Sequence, residues 1–137
     1  MKKALIVDRN GAVCIKDVPE DLGWEWMAEN LGCEMIEIVR PRNLAKGLVI
    51  IVDEEGKLKS NVINVAGSWL YGTAVHGDAI VGDIMILREE MGPEGAECKG
   101  MDAETAKELA KDLGNPLHLM SWAEEIRAKL MLDEIFH

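Results

Sequence analysis

Hydrophobic residues alternate with polar ones, or form short continuous runs, at several places along the chain, and each such stretch predicts a β-strand. The five predicted strands are residues 3–8, 12–18, 34–39, 47–53 and 79–87. Asn10-Gly11 between the first two is a strong hairpin signal, because both residues tolerate positive φ. The run from Gly47 to Asp53 is apolar on both faces, which predicts a central strand. Gly82-Asp83 is a candidate bulge, and Ala96 to Lys99 is a candidate short edge strand.

A first helix is predicted by apolar residues at helical spacing. Its apolar face consists of Trp24, Met27, Ala28 and Leu31. We expect Trp24 to be its core anchor, and Gly32 suits the position just after its last turn. The D-x-x-E spacing from Asp17 to Glu20 predicts a capping box at its start.

Two further helices are predicted near the C-terminus. Asp102 can cap the first of them, and Gly114-Asn115-Pro116 ends it. Ser121-Trp122-Ala123-Glu124 has the form of a capping box and predicts the start of the last helix there. The apolar stripe of that helix consists of Ala128, Met131, Leu132, Ile135 and Phe136. We expect the stripe to pack within the monomer, with a second subunit as the alternative.

Asn61 to Asp78 mixes turn-forming and apolar residues, so its periodicity predicts no regular element. We expect a compact, partly packed connection with one helical turn near Ser68 to Tyr71.

The order of these elements predicts an α+β fold with a mainly antiparallel sheet of about five strands. One helix follows the first hairpin and two helices lie at the C-terminal end. A hairpin followed by a helix is also how a β-grasp domain begins, which is an analogy of fold only. The length of 137 residues predicts one domain spanning 1–137.

The net charge is −10, and the acidic excess lies after residue 50. Acidic surface repels phosphate backbones, so direct nucleic-acid binding is not expected. The simplest interpretation is a soluble, self-repelling surface. The alternative is a DNA-mimic inhibitor that occupies a DNA-binding protein, which requires carboxylates spaced along one face at about 7 Å.

The three cysteines, Cys14, Cys33 and Cys98, form no C-x-x-C motif, which is typical of free thiols in a reducing cytoplasm. The apolar run Ala4 to Val7 after the two N-terminal lysines is too short for a signal peptide. No apolar run approaches the roughly 20 residues of a membrane span. We therefore expect a cytoplasmic protein without a membrane segment.

The order of several short motifs resembles a family of small domains of unknown function from bacteria, phages and other mobile elements. The matching residues are E-I-V at 37–39, V-I-I-V-D-E-E-G-K-L-K at 49–59, Asn64 with Ala66, L-Y-G at 70–72, I-V-G at 80–82 and M-D-A-E-T-A-K-E-L at 101–109. The resemblance covers roughly Lys2 to Leu113, the family-like core 1–113, and the additional C-terminal helix at 121–137 lies outside it. It implies a cytoplasmic accessory protein and no particular chemistry.

The best candidate for chemistry is His76-Gly77-Asp78, with Asp83 five residues further on. A histidine beside carboxylates can act as a general base or help to hold a metal, so a small hydrolase or metal-dependent enzyme is one hypothesis. A polar turn before a strand is the simpler interpretation, and we assign no catalytic residue, metal site or cofactor. Ser68 lacks the second glycine of a nucleophile elbow. Cys98 beside Lys99 is the thiol expected to be most exposed.

Trp69 and Tyr71 flank Leu70 in the turn-rich connection, and aromatic residues dominate interface hot spots. The leading hypothesis is therefore a non-enzymatic accessory module that contacts an unidentified protein partner. Its candidate contact residues are Asn64, Trp69, Tyr71, His76 and Asp78. A homodimer through the C-terminal helix is a further expectation.

Overall fold

A computed structural model describes residues 1–60 and 62–136, with the side chain of Phe136 left out. The predicted turn residue Asn61 and the terminal His137 lie outside the described residues. The strands are β1 (Lys3–Val7), β2 (Val13–Asp17), β3 (Ile36–Val39), β4 (Leu48–Asp53), β5 (Ile84–Gly92) and β6 (Gly95–Lys99). The helices are α1 (Trp24–Leu31), α2 (Gly56–Lys59), α3 (Val65–Tyr71), α4 (Thr73–His76), α5 (Ala103–Leu113) and α6 (Pro116–Phe136).

The strands form one antiparallel sheet in the order β2-β1-β5-β4-β3, and β6 also pairs with β5. The α+β class and the mainly antiparallel sheet are therefore confirmed, with six strands in place of about five. β5 is the longest strand: one of its edges pairs with β4, and the other pairs first with β1 and then with β6. β4 is central and its four middle residues are buried, as its two-sided apolar sequence predicts.

Alternation along the strands divides the core between the two faces of the sheet. On one face, Ala4, Val49, Ile51, Met85 and Leu87 pack with Met27 of α1. On the other face, sheet residues such as Leu5, Ile50 and Ile86 pack with Ala66 of α3 and Trp122 of α6. Helices therefore cover both faces, because successive strand residues point to opposite sides.

The β1–β2 hairpin is confirmed. Gly11 has φ of 92°, and the Asp8 carboxylate accepts hydrogen bonds from the backbone N–H groups of Asn10 and Ala12. The side chain thus closes the turn that the Asn-Gly pair initiates.

The predicted start of α1 is wrong. The helix begins at Trp24 after Gly23, which makes no side-chain cap, and Asp17 instead forms an ion pair with Lys3. Trp24 is 56% exposed and is therefore not the core anchor. Met27 and Ala28 are buried, and Gly32 ends the helix in the left-handed conformation, as predicted.

The predicted start of the last helix is also wrong. α6 begins at Pro116, directly after Asn115, whose side-chain oxygen accepts a hydrogen bond from the N–H of Leu117 at 3.0 Å. Asn followed by Pro is an effective start, because the cap supplies an acceptor and proline occupies the first helical position. Ser121 to Glu124 lie inside the helix.

Residues 79–83 precede β5 and are not part of it. The connection before them holds two short helices, α3 and α4, where one helical turn was expected. No helix within residues 1–60 and 62–136 is both long and apolar enough to cross a membrane.

Candidate functional site: the 62–83 connection and the C-terminal helix

Asn64 holds the connection to the sheet. Its side-chain oxygen caps α3 by accepting from the N–H of Gly67 at 2.9 Å. Its amide nitrogen donates to the carbonyl oxygens of Val7 at 3.0 Å and Gly82 at 2.9 Å. The residue is 1% exposed. Asn64 was expected among the partner-contacting residues, but its buried amide has no surface left with which to contact a partner, so that expectation is wrong.

Ser68 fastens the same connection one turn later. Its buried hydroxyl accepts from the N–H of Ile80 at 2.9 Å and donates to the carbonyl oxygen of Ile80 at 3.0 Å. Both functions of the hydroxyl are therefore used within the fold. Ser68 is a structural residue and not an exposed nucleophile.

Trp69 faces α6. Its ring stacks on that of Trp122, with centroids 4.5 Å apart and planes inclined by 14°. Its indole N–H donates to the Glu125 carboxylate at 2.9 Å. His118 stacks on Trp122 as well, at 5.3 Å between centroids. The aromatic surface of Trp69 that was expected to meet a partner thus meets a helix of the same chain.

α4 packs against the far end of α6. A Cβ at Gly77 would collide with the carboxylate of Asp133, which pairs with Lys129. Near the opposite end, Leu119 lies 3.2 Å from where a Cβ of Gly11 would be placed. The inner face of α6 therefore extends from the β1–β2 turn to the end of α4.

His76 is exposed, yet both of its ring nitrogens have backbone partners. Nδ1 accepts from the N–H of Asp78 at 3.0 Å, and Nε2 lies 3.1 Å from the carbonyl oxygen of Tyr71. This pattern places the ring proton on Nε2. The imidazole also meets the Tyr71 ring edge-on at 4.8 Å. The ring closes the α4 turn, which is the polar-turn interpretation of the motif.

The two carboxylates of the predicted constellation have separate partners. Asp78 pairs with Lys57, and Asp83 accepts from the backbone N–H and the guanidinium of Arg9 at 3.0 and 3.1 Å. His76, Asp78 and Asp83 therefore do not converge on a common pocket. Among the described residues, no group of three His, Cys, Asp or Glu side chains is placed to hold a metal.

A small cavity lies between the sheet and the connection. It has a volume of about 160 Å³ and is lined by Tyr71, Asp78, Lys57, Asp53 and Glu37 among others. Ligand sites for drug-sized molecules usually have about 300–1,000 Å³. The cavity is therefore smaller than a usual site for a drug-sized molecule.

The thiol expected to be most exposed is not. Cys98 is half-buried, and burial, with Glu89 nearby, raises the pKa of its thiol. Burial likewise raises the pKa of Cys33. Cys14, on edge strand β2, is the exposed cysteine.

The outer face of α6, opposite Trp122 and Ile126, is apolar and unpacked. Its large residues are each more than half exposed: Leu117, Met120, Met131, Leu132 and Ile135. With Glu124 and Ala128, which are also exposed, they recur at the helical period. The predicted stripe belongs to this face, so the expectation that it packs within the monomer is wrong; Phe136 lies outside the described side chains. Leu117 and Met120 were missed, and Asn115-Pro116 was the signal that could have added them.

One comparison with known proteins identifies a family, and the matched residues include every strand of the sheet described above. Searches of curated proteins and of solved structures gave no match. The model of a family described as "Domain of unknown function (DUF3846)" matches residues 1–113, which end with α5. α6 lies beyond the match. The match covers most of the chain, from β1 through α5, and the chain therefore belongs to the DUF3846 family of domains of unknown function.

Proposed function

We propose that the protein is a non-enzymatic accessory module that acts by protein contact, and that its binding surface is the outer face of α6. The observation that carries this proposal is the exposure of five large apolar side chains on one face of a helix whose other face is already packed. Contiguous exposed apolar surface on a folded protein usually marks an interaction site.

The packing of the inner face makes the outer face a defined surface. Trp122 and Ile126 are buried, and the Lys129–Asp133 pair lies against α4. The helix therefore cannot rotate to bury the outer residues without exposing the inner ones. A helix of 21 residues presents this face over about 31 Å.

Residues 64–78 of the 62–83 connection support the proposal in a different way from the one that their sequence predicts. Asn64 and Trp69 are engaged within the chain and position α6. Tyr71, His76 and Asp78 border a second, smaller candidate surface, where Val75 is 55% exposed. We rank it below the α6 face because its polar groups already have partners.

No observation favours the two alternatives. Among the described residues, eight ion pairs of lysine or arginine, spread from β1 to α6, engage carboxylates on many elements, whereas a DNA mimic needs unpaired carboxylates in a row. An enzyme centred on His76 and Asp78 needs convergent groups with free functional atoms. We place the module in the cytoplasm, as an accessory protein of the kind that phages and mobile elements carry.

A photo-crosslinking amino acid tests the proposed surface. We would introduce it at Leu132 on the outer face of α6 and, as a matched control, at Glu104 on the exposed face of α5. Adducts in cells that form at position 132 and not at position 104 are the expected result. Failure to form any adduct at 132, in a protein that remains folded, would overturn the proposed function.

A further inference from the structure

We infer that the occupant of the α6 outer face is a second copy of this chain, docked antiparallel about a two-fold axis near residue 126. This inference rests on the proposed function, since it names the partner of the same surface. Three observations support it: the symmetry of the stripe, two charges on it, and the acidity of the helix.

The apolar residues of the stripe are arranged nearly symmetrically about its centre. Leu117 and Met120 lie at one end, Met131, Leu132 and Ile135 at the other, and Glu124 with Ala128 between them. In an antiparallel pair with its axis near residue 126, Leu117 lies opposite Ile135 and Met120 opposite Leu132. A two-fold interface requires such a self-complementary patch, because each surface meets its own copy.

The central charges complete this complementarity. Glu124 and Arg127 are both exposed, and neither forms an ion pair or hydrogen bond with any described residue of its own chain. In the antiparallel register Arg127 lies within about 1.5 Å, along the helix axis, of Glu124 in the other copy. Two equivalent Glu–Arg pairs would thus form at the centre, and Ala128 leaves room for the longer side chains.

The charge of α6 disfavours a lipid surface as the occupant. Interfacial membrane helices carry lysine and arginine on their polar face. The described residues of α6 include four acidic and two basic ones: Glu124, Glu125, Asp133, Glu134, Arg127 and Lys129. Net charge of −10 on each chain opposes association. The expected dimer is therefore weak, with dissociation in the micromolar range rather than the nanomolar range.

A charge exchange tests the register as well as the association. Sedimentation equilibrium of the intact chain should give a concentration-dependent mass approaching that of two copies. Glu124→Arg alone places like charges opposite each other at both pairs, and we expect Kd to rise at least about tenfold. Arg127→Glu alone should do the same. The double variant Glu124→Arg/Arg127→Glu restores opposite charges across the axis and should recover association.

The outcomes separate this inference from the proposed function. A monomer at all concentrations up to about 1 mM, where binding is worth only about 4 kcal/mol, would overturn the second copy as occupant. If position 132 then still forms adducts with a different protein, the contact proposal survives without self-association. A dimer that Glu124→Arg does not weaken, or that the double variant does not restore, would overturn the antiparallel register. Far-UV circular dichroism confirms that each variant is folded.

Discussion

α5 and α6 follow each other along the chain, but they use their surfaces differently. α5 buries Ala106 and Leu113, and the residues on its exposed side are mostly charged: Glu104, Lys107, Glu108, Lys111 and Asp112. α6 buries Trp122 and Ile126 and still exposes large apolar residues on the other side. Packing on the sheet accounts for the whole of α5. α6 packs against α3 and α4 with one face only, and its other face is the surface that we propose as a binding site.

The largest expected effect tests whether α6 is anchored as firmly as α5. Trp122→Ala removes a buried ring that stacks on Trp69, and should lower the free energy of unfolding by about 3–5 kcal/mol in urea denaturation. Trp24→Ala is the matched control: that ring is 56% exposed, so its removal should cost only about 0.5 kcal/mol. Equal effects would mean that α6 is not anchored to α3 through Trp122.

A second pair of variants compares the two faces of α6 at one residue type. Ile126→Ala leaves a cavity in the core and should cost about 2–5 kcal/mol. Ile135→Ala, on the outer face, should change the stability of the monomer by about 0.5 kcal/mol or less. Chemical denaturation at low protein concentration isolates the monomer. A large loss for Ile135→Ala under those conditions would show that the outer face is packed after all.

The helix starts offer a smaller comparison. Asn115 caps α6 through the N–H of Leu117, and Asn115→Ala should lower stability by about 1 kcal/mol. Asn115→Asp keeps an acceptor at the cap and should retain most of the wild-type stability. If the Ala and Asp variants are equally destabilised, the side-chain hydrogen bond does not hold the start of the helix.

The two caps should also differ in their response to pH. Hydrogen bonds from Thr105 hold the pKa of Asp102 below its usual 3.8. Because the folded pKa is the lower one, the ionised cap stabilises α5 above about pH 4, and this contribution disappears as pH falls through the folded pKa. Asp102→Asn should therefore flatten the loss of stability as pH falls below about 4.

Thermal unfolding at stepped pH measures this difference. Asp17, whose pKa Lys3 also lowers, contributes to the same acid response and should keep part of the slope in the Asn variant. An acid response unchanged by Asp102→Asn would contradict the titrating cap. The amide cap of α6 contains no titrating group, so Asn115→Ala should shift the profile without changing its shape.

Repeating patterns made much of the fold predictable. Alternation and short continuous apolar runs located β1 to β4, and the Asp102 cap with its apolar face located α5. Trp24 shows the limit of prediction from helical spacing. Spacing tells which residues share a face of α1, but not whether the sheet extends far enough to cover the first turn of that helix. At α6 two start signals competed, and Asn115-Pro116 prevailed over the capping box at Ser121.

The site was less predictable because its contacts are long-range. Asn64 donates to Val7 and Ser68 bonds Ile80, and neither residue carries a local signal for its distant partner. The His76 ring bonds the backbone of Asp78 and Tyr71, which lie two and five residues away, and this local bonding is why the polar turn was recognisable. Trp122 stacks on Trp69 from inside α6, whose start was predicted wrongly. That single error concealed the contact at both residues, because neither tryptophan was expected to meet the other.

The pairing of β5 also determines when this sheet can assemble. The β1–β2 and β3–β4 hairpins are local and can form while the chain is still being synthesised. Among the described residues, β5 is the strand that pairs with both β1 and β4, with Leu5 and Ile50 on opposite sides of Ile86, so the sheet joins the two hairpins only when β5 emerges. Until then each hairpin exposes an apolar edge, so we expect a nascent chain to be most prone to aggregation before residue 92 leaves the ribosome.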